Sequence, residues 1–196
     1  MRATIDLAAE NGISAVSTRS VARIAGVSEA LMYNFFHSKE ELLISCLYLV
    51  TDKIVEYLHR FTEINAVSME EYKQEVRKQW NVFFTYLLKN ASETLVFHEY
   101  VNSAGIMELL KTPKFENMDF SRLYRSLGVI NSGFTYVDED DIPYFWPYCI
   151  YISTLFAAKI IRGKLIDTEH AREEIWKLIT KGLSGFSYPP LETPEQ

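Results

Sequence analysis

Cysteine is scarce in this sequence, and its two thiols are far apart. Cys46 and Cys149 both lie in apolar segments with helical periodicity. This pattern excludes the disulfide framework of a small secreted protein. Both side chains are therefore expected to be core thiols in the reducing cytoplasm.

Long apolar runs are also missing. The most apolar stretch, Tyr144 to Phe156, is interrupted by Pro147, and no run reaches the roughly 18 residues that a membrane-spanning helix requires. The first residues lack the basic segment and apolar core of a secretory signal. These absences predict a cytoplasmic protein without a membrane partner.

Proline and glycine are few, and they fall between segments of helical periodicity, while no alternating strand pattern persists. With 48% hydrophobic and 23% charged residues, the composition is that of a folded chain. The sequence predicts an all-α fold. The first predicted helix ends at Asn11-Gly12. The other predicted helices cover residues 17–25, 28–35, 38–61, 68–90, 92–104, 119–132, 141–164 and 168–186, and an irregular tail covers 189–196. Expected N-terminal caps are Ser17 or Thr18, Ser28, Ser38, Ser68, Ser92 and Thr168.

An excess of basic charge is absent as well. The net charge is −6, and residues 1–60 carry six Lys or Arg against seven acids, a balance of −1. A DNA-binding domain normally has a basic footprint, so this balance argues mildly against nucleic acid. Phosphate contact requires donors on one face rather than a basic average, however, so DNA remains a possible partner.

The segment from Ser17 to Leu43 predicts two short helices joined by a tight turn. Gly26 supplies the positive φ that such a turn needs. The expected apolar residues are Val21, Ile24 and Ala25 in the first helix, and Val27, Met32 and Phe36 around the second. The outer face of the second helix then carries small and polar residues, which suits the DNA major groove.

These residues resemble the TetR family of bacterial transcriptional regulators. The Thr-rich helix start, Ile-Ala, Ala-Gly-Val-Ser and the following Tyr, Phe, Lys-Glu and Leu match the family pattern almost position by position over about residues 3–45. The resemblance implies an N-terminal three-helix helix-turn-helix domain over 1–45. It also implies a C-terminal helical-bundle domain for ligand binding and dimerisation over 46–188.

The resemblance further implies roles for single residues. Ser17, Thr18, Tyr33 and Lys39 would contact phosphates, and Arg19 would reach a guanine through its bidentate fork. The candidate base-reading surface is Ser28, Glu29, Ala30, Leu31 and Asn34, and His37 completes the expected DNA-binding set.

The chain departs from the family pattern at three points. The carboxylate of Glu29 would lie near phosphates and lower general DNA affinity. Ala8 replaces the usual core phenylalanine of the first helix. Family members usually begin earlier with a basic lead, and we expect this chain to lack that segment.

The second half is rich in aromatic residues, which has two interpretations. They form either an ordinary helical core or, together, the wall of a cavity for a small apolar or amphipathic effector. The candidate wall residues are Trp80, Phe84, Tyr100, Tyr124 and Tyr151. The resemblance implies an effector site in this half without fixing any residue in it.

Two apolar stripes near the C-terminus predict a dimer interface. The first consists of Tyr148, Ile152, Leu155 and Phe156. The second consists of Ile175, Leu178, Ile179 and Leu183, with Trp176 beside them. Two such helices from each subunit would form an intermolecular four-helix bundle. The alternative is packing inside one monomer.

Metal-binding and catalytic motifs remain incomplete. The segment His98-Glu99-Tyr100-Val101-Asn102 resembles a zinc-protease helix, but Asn102 stands where a second histidine is required. The sequence therefore predicts no cofactor, no metal and no enzymatic activity. It predicts a homodimeric repressor that a small molecule releases from a palindromic operator. The alternatives are a helical adaptor that has lost DNA binding and a helical-bundle enzyme.

Overall fold

The computed structural model describes residues 1–58, 68–101 and 142–182, and each regular element in these ranges is helical. The N-terminal helices are α1 (Arg2–Asn11), α2 (Thr18–Ala25), α3 (Glu29–Phe35) and α4 (Lys39–Leu58), with a 3-10 turn at Ile13–Ala15. The later helices are α5 (Met69–Lys89), α6 (Ala91–Val101), α7 (Ile142–Ile161) and α8 (Glu169–Gly182). The all-α prediction is confirmed.

Hydroxyl side chains begin most of these helices, as the sequence predicts. Ser17 Oγ accepts the backbone N–H of Ser20 at 3.1 Å, and Ser28 Oγ accepts that of Leu31 at 3.1 Å. Each bond satisfies a backbone N–H that has no partner within the helix, which contributes about 1 kcal/mol. The same bond begins α4, α5 and α8, where the acceptors are Ser38, Ser68 and Thr168.

The ends of α1 and α2 also follow the sequence, whereas α7 ends at Ile161, before the predicted 164. The backbone of Gly12, directly after α1, has φ +83°, and Gly26 after α2 is left-handed with φ +69°. Helix α6 begins at Ala91, one residue before the predicted cap Ser92. The predicted helix at 119–132, the predicted tail at 189–196 and the predicted helix ends near 61, 104 and 186 lie outside the described residues.

The N-terminal core differs from the predicted pattern at α2 and the following turn. Val21 is 1% exposed and Met32 is 7% exposed, as expected, whereas Ile24 is 50% and Val27 37% exposed. Helix α2 buries Thr18, Val21 and Ala22, which share one face at helical spacing. Ile24 lies to one side of that face and Val27 lies in the turn, so neither reaches the core. Ala25, at the last position of α2, is exposed as well.

Helix α6 connects the two halves of the chain. It packs against α1 and α4 of the N-terminal half and against α5 and α7 of the second half. On its N-terminal side, Glu93 is only 8% exposed and pairs with Arg2 of α1 at 2.6 Å and Lys53 of α4 at 3.4 Å. A displacement of α6 would therefore act directly on α1.

Candidate nucleic-acid interface

Helix α3 is held across α2 with most of its surface outward. The turn between them closes through the Val27 N–H, which donates to the Ala22 carbonyl at 3.0 Å. Met32 is the residue of α3 that is buried in the core. The rest of α3 is exposed. This leaves a short helix with a free face, which is the geometry that a helix-turn-helix presents to a major groove.

Three predicted contact residues meet on this surface. The Thr18 hydroxyl lies 3.2 Å from the Tyr33 hydroxyl and donates to Glu29 Oε1 at 3.2 Å. Thr18 is 8% exposed, whereas Tyr33 is 47% exposed. The two hydroxyls expected to contact phosphate are thus adjacent, and an anionic side chain already accepts from one of them.

The serines of the predicted set also act as caps. Ser17 and Ser20 form a reciprocal capping box, in which the Ser17 backbone N–H donates to Ser20 Oγ at 3.0 Å. Ser28 caps α3 through the bond to Leu31 described above. Their hydroxyl oxygens therefore fix the starts of α2 and α3, and this determines where the neighbouring contact residues lie.

Lys39 and His37 lie at the start of α4. Lys39 Nζ donates to the Ser14 carbonyl at 3.2 Å, which ties α4 to the 3-10 turn. The His37 backbone N–H donates to Glu41 Oε2 at 2.9 Å, while Ser38 caps the helix. Ser38 therefore caps α4 as predicted, and the Glu41 carboxylate accepts from the residue before the cap.

The predicted base-reading positions Arg19, Ala30, Leu31 and Asn34 are all exposed. The sequence-based set omitted Phe35, which is 68% exposed at the end of α3. The neighbouring Phe36 is only partly buried and packs on the core. The sequence signal for this exposure is the pair Phe35-Phe36, because two adjacent residues cannot both be buried on the same helix face.

Some of the basic residues of the N-terminal half are used internally. Arg2 and Lys53 both pair with the buried Glu93 of α6. Arg19 and Arg23 of α2 are exposed. The cations that remain at the outer surface of the helix-turn-helix and the start of α4 are thus few, which agrees with the acidic balance of the sequence.

The predicted effector residues lie in different surroundings. Trp80 is buried, donates from Nε1 to Ser153 Oγ at 3.1 Å and stacks on Phe84 at 5.0 Å. Tyr100 is fully buried near the Cys46 thiol, and its pKa is raised, above all by burial. Tyr151 is 40% exposed, with its ring 5.9 Å from that of His98. Tyr124 lies outside the described residues.

The predicted interface residues divide into two groups. Tyr148, Ile152, Leu155 and Phe156 of α7 are partly exposed. Ile175 and Ile179 are 1% and 2% exposed within the single chain, so they have no surface left for a partner. These two isoleucines face the monomer core, which for this part of the stripe favours the alternative of packing inside one monomer. Leu178, 48% exposed, is on the outer face of α8, and Leu183 lies outside the described residues.

Neither a metal site nor a membrane span is found in the described part of the chain. Within residues 1–58, 68–101 and 142–182, no three His, Cys, Asp or Glu side chains are grouped to hold a metal ion. Of the helices in these ranges, none is both long and apolar enough to cross a membrane.

Comparison with known proteins finds a family similarity in the first 46 residues. Residues 1–46 match the sequence model of the family described as bacterial regulatory proteins, tetR family. Over these residues the chain is similar to that family. The resemblance seen in the sequence is therefore confirmed over the helix-turn-helix and the start of α4.

The fold is also similar to those of solved structures of transcription regulators. A TetR family transcription regulator from Marinobacter aquaeolei VT8 is 21% identical, with a TM-score of 0.64 over 92% of this chain and 91% of that one. A putative tetR family regulator from Shewanella sp. PV-4 is 18% identical, with a TM-score of 0.64 over 92% and 94%. The fatty acid degradation regulator FadR from Bacillus halodurans is 18% identical, with a TM-score of 0.56 over 96% and 94%. No curated protein sequence matches the chain.

Proposed function

We propose that this protein is a transcription regulator that binds double-stranded DNA through α3. The observation that carries the proposal is the exposed face of α3, held across α2 by the Gly26 turn in a TetR-type domain. Arg19, Leu31 and Asn34 are the proposed base-reading residues. Tyr33 of α3 and Lys39 at the start of α4 are the proposed phosphate donors.

The proposed DNA target is a palindromic operator bound by a homodimer. Two copies of the chain related by a twofold axis would place their α3 helices in successive major grooves, about 34–36 Å apart. The partly exposed residues of α7 and the exposed Leu178 of α8 are the proposed subunit contact. The proposed domain limits are therefore 1–45 for DNA binding and 46–188 for effector binding and dimerisation.

A small molecule is the proposed signal, acting as an inducer that releases a repressor. The proposed wall of its site is formed by α5, α6 and α7, with Trp80, Phe84, Tyr100 and Tyr151 as candidates. An effector that prefers the DNA-incompetent state by about 2.7 kcal/mol would lower operator affinity about a hundredfold. Because coupling is reciprocal, operator DNA would weaken effector binding by the same factor.

Thermal shift against apolar aromatic compounds and long-chain carboxylates tests the effector proposal. We expect at least one compound to raise the unfolding temperature and to displace operator DNA. Stabilisation without displacement would contradict the inducer role, and a completely unresponsive protein would contradict the effector site.

A salt series tests the DNA-binding proposal directly. Binding sites are selected from randomised duplexes, and the affinity for the selected duplex and for random DNA is measured at several salt concentrations. A phosphate-contacting protein loses affinity steeply, with a slope of about −0.9 per contacted phosphate in log K against log salt. We expect a steep slope and a large preference for the selected duplex.

A second candidate function is a helical adaptor that no longer binds DNA. It is favoured by the engagement of Glu29 with the Thr18–Tyr33 pair and by the small number of outward cations. The same salt series decides between the two, because an adaptor would bind neither the selected duplex nor random DNA.

A further inference from the structure

The hydrogen bonds at Thr18 leave both of the predicted phosphate donors occupied. A threonine hydroxyl has a single donor proton, and that of Thr18 goes to Glu29 Oε1 at 3.2 Å. The bond of 3.2 Å between Thr18 and Tyr33 must then use the Tyr33 proton. The protons run in one direction, from Tyr33 to Thr18 to the carboxylate of Glu29.

The Glu29 carboxylate therefore lies where Thr18 and Tyr33 would otherwise contact a DNA phosphate. A carboxylate and a phosphate are alternative acceptors for the same hydroxyl protons, and both form charge-assisted hydrogen bonds. Thr18 is buried and cannot turn outward freely, so its proton reaches an external phosphate only if Glu29 leaves. Glu29 itself is exposed at the first position of α3, so its side chain has space to swing into solvent.

We propose that Glu29 is an intramolecular competitor of DNA phosphate and controls access to the Thr18–Tyr33 pair. In the free protein its carboxylate takes the hydrogen bond that a phosphate takes in the complex. DNA binding then has to displace this carboxylate, which the negatively charged backbone of the DNA also repels. This inference rests on the proposed DNA-binding function.

The competition has a signature that separates it from base reading. Phosphates are the same in every sequence, so displacement of Glu29 lowers the affinity for operator and random DNA by the same factor. A Glu29 that accepted from a cytosine amino group would instead favour particular operators. The proposed role thus lowers general affinity and leaves sequence preference unchanged.

The decisive experiment measures Glu29→Gln binding to a selected duplex and to random DNA. Glutamine keeps the length of the side chain and an oxygen that accepts from Thr18, but it removes the charge. We expect both affinities to rise about tenfold, which corresponds to about 1.4 kcal/mol. Glu40→Gln, an exposed glutamate in the first turn of α4, is the matched control and should change both affinities less than twofold.

A double-mutant cycle adds a second readout. If the Glu29 carboxylate holds the hydroxyl pair more strongly than a neutral amide does, Tyr33→Phe should cost more DNA affinity in the Glu29→Gln background than in the wild type. Circular dichroism melting shows that each variant folds. The proposal is supported if Glu29→Gln binds DNA more tightly than the wild type and if Tyr33→Phe costs more affinity in that background.

Three outcomes would overturn the proposal. Unchanged affinity in Glu29→Gln shows that the carboxylate does not compete. A loss confined to operators with one particular base shows that Glu29 reads that base. Absence of binding in wild type and variant together overturns the proposed function as well, whereas binding by the variant alone supports the competition.

Discussion

Individual hydroxyl groups in the helix-turn-helix have distinct tasks. Ser17 and Ser28 cap helices, so their oxygens hold backbone N–H groups in place. Thr18 and Tyr33 form a hydrogen-bonded pair with Glu29. The first two residues thus position the surface, and the other two are the ones that a ligand can engage.

Arg19 and Lys39 are expected to contribute differently to DNA binding. Arg19→Ala should cost roughly 1–3 kcal/mol on the operator position it reads and little on random DNA. Lys39→Ala should lower affinity for all sequences and reduce the salt slope by about 0.9, because it removes one phosphate contact. Binding titrations on both duplexes give the measurement. Equal losses on operator and random DNA in Arg19→Ala would refute its base-reading role.

His98 should make the folded state sensitive to acid. Burial, and then the nearby Arg162, lower its pKa below the ordinary value, although Glu99 acts in the opposite direction. The unfolded chain therefore takes up a proton at a higher pH than the folded protein does. The stability contributed by neutral His98 is complete above the unfolded pKa of about 6.5 and is lost as the pH falls through the lower folded pKa.

Urea unfolding from pH 7.5 down to pH 5 measures this effect. The free energy of unfolding of the wild type should fall more with decreasing pH than that of His98→Asn. His170→Asn, which removes an exposed histidine of α8, is the matched control. Parallel curves for wild type and His98→Asn would show that His98 does not couple folding to protonation.

At the scale of helices, the starts of most elements follow from the sequence. A serine or threonine ahead of an apolar-periodic run identifies the cap, and Ser17, Ser28 and Thr168 all behave in this way. Burial was harder to predict. The pattern suggests that Ile24 and Val27 are core residues, but an eight-residue helix that packs on one narrow face leaves them outside.

Contacts between helices that are distant in sequence could not be predicted from local sequence patterns. Glu93 and Glu99 belong to an ordinary helical segment, and nothing adjacent in sequence marks their partners on α1, α4 and the 3-10 turn. Which face of α8 points inward likewise depends on its neighbours. The apolar spacing of Ile175 and Ile179 fits a dimer stripe and a monomer core equally well.

Glu99 should tie the 3-10 turn to α6. Its Oε1 accepts the Ile13 backbone N–H at 2.7 Å, and Arg162, directly after α7, lies 3.9 Å from its other oxygen. Glu99→Ala should destabilise the protein by about 1.5–3 kcal/mol, since a hydrogen bond to a charged group is lost. The Ile13 amide should also exchange with solvent much faster. Unfolding and hydrogen exchange of this variant test both effects, with Glu40→Ala as an exposed control; unchanged exchange at Ile13 would contradict the tie.

At the scale of the whole molecule, α6 is the route between the two halves. It contacts α1 through the Glu93–Arg2 ion pair and the 3-10 turn through Glu99, and it packs along α7 on the other side. Helix α7 in turn is fixed to α8, because the Tyr148 hydroxyl donates to the Leu178 carbonyl at 3.0 Å. The proposed subunit contact and the proposed DNA-binding surface are thus joined by a continuous series of packed helices.

The outer face of α8 should control DNA binding through subunit association. Leu178 is 48% exposed in the single chain, beside the partly exposed stripe of α7. Leu178→Glu would bury a charge in the proposed interface and should raise the dimer dissociation constant about a hundredfold, which corresponds to about 2.7 kcal/mol. Analytical ultracentrifugation measures that constant.

The same substitution should separate palindromic from half-site binding. A dimer binds both half-sites together, whereas a monomer gains nothing from the second one. Leu178→Glu should therefore lose at least about tenfold in affinity for the palindrome and little for an isolated half-site. Val82→Glu changes a comparably exposed residue of α5, 47% exposed, and should leave both properties intact. A Leu178→Glu protein that still forms the wild-type dimer would show that subunits associate through another surface.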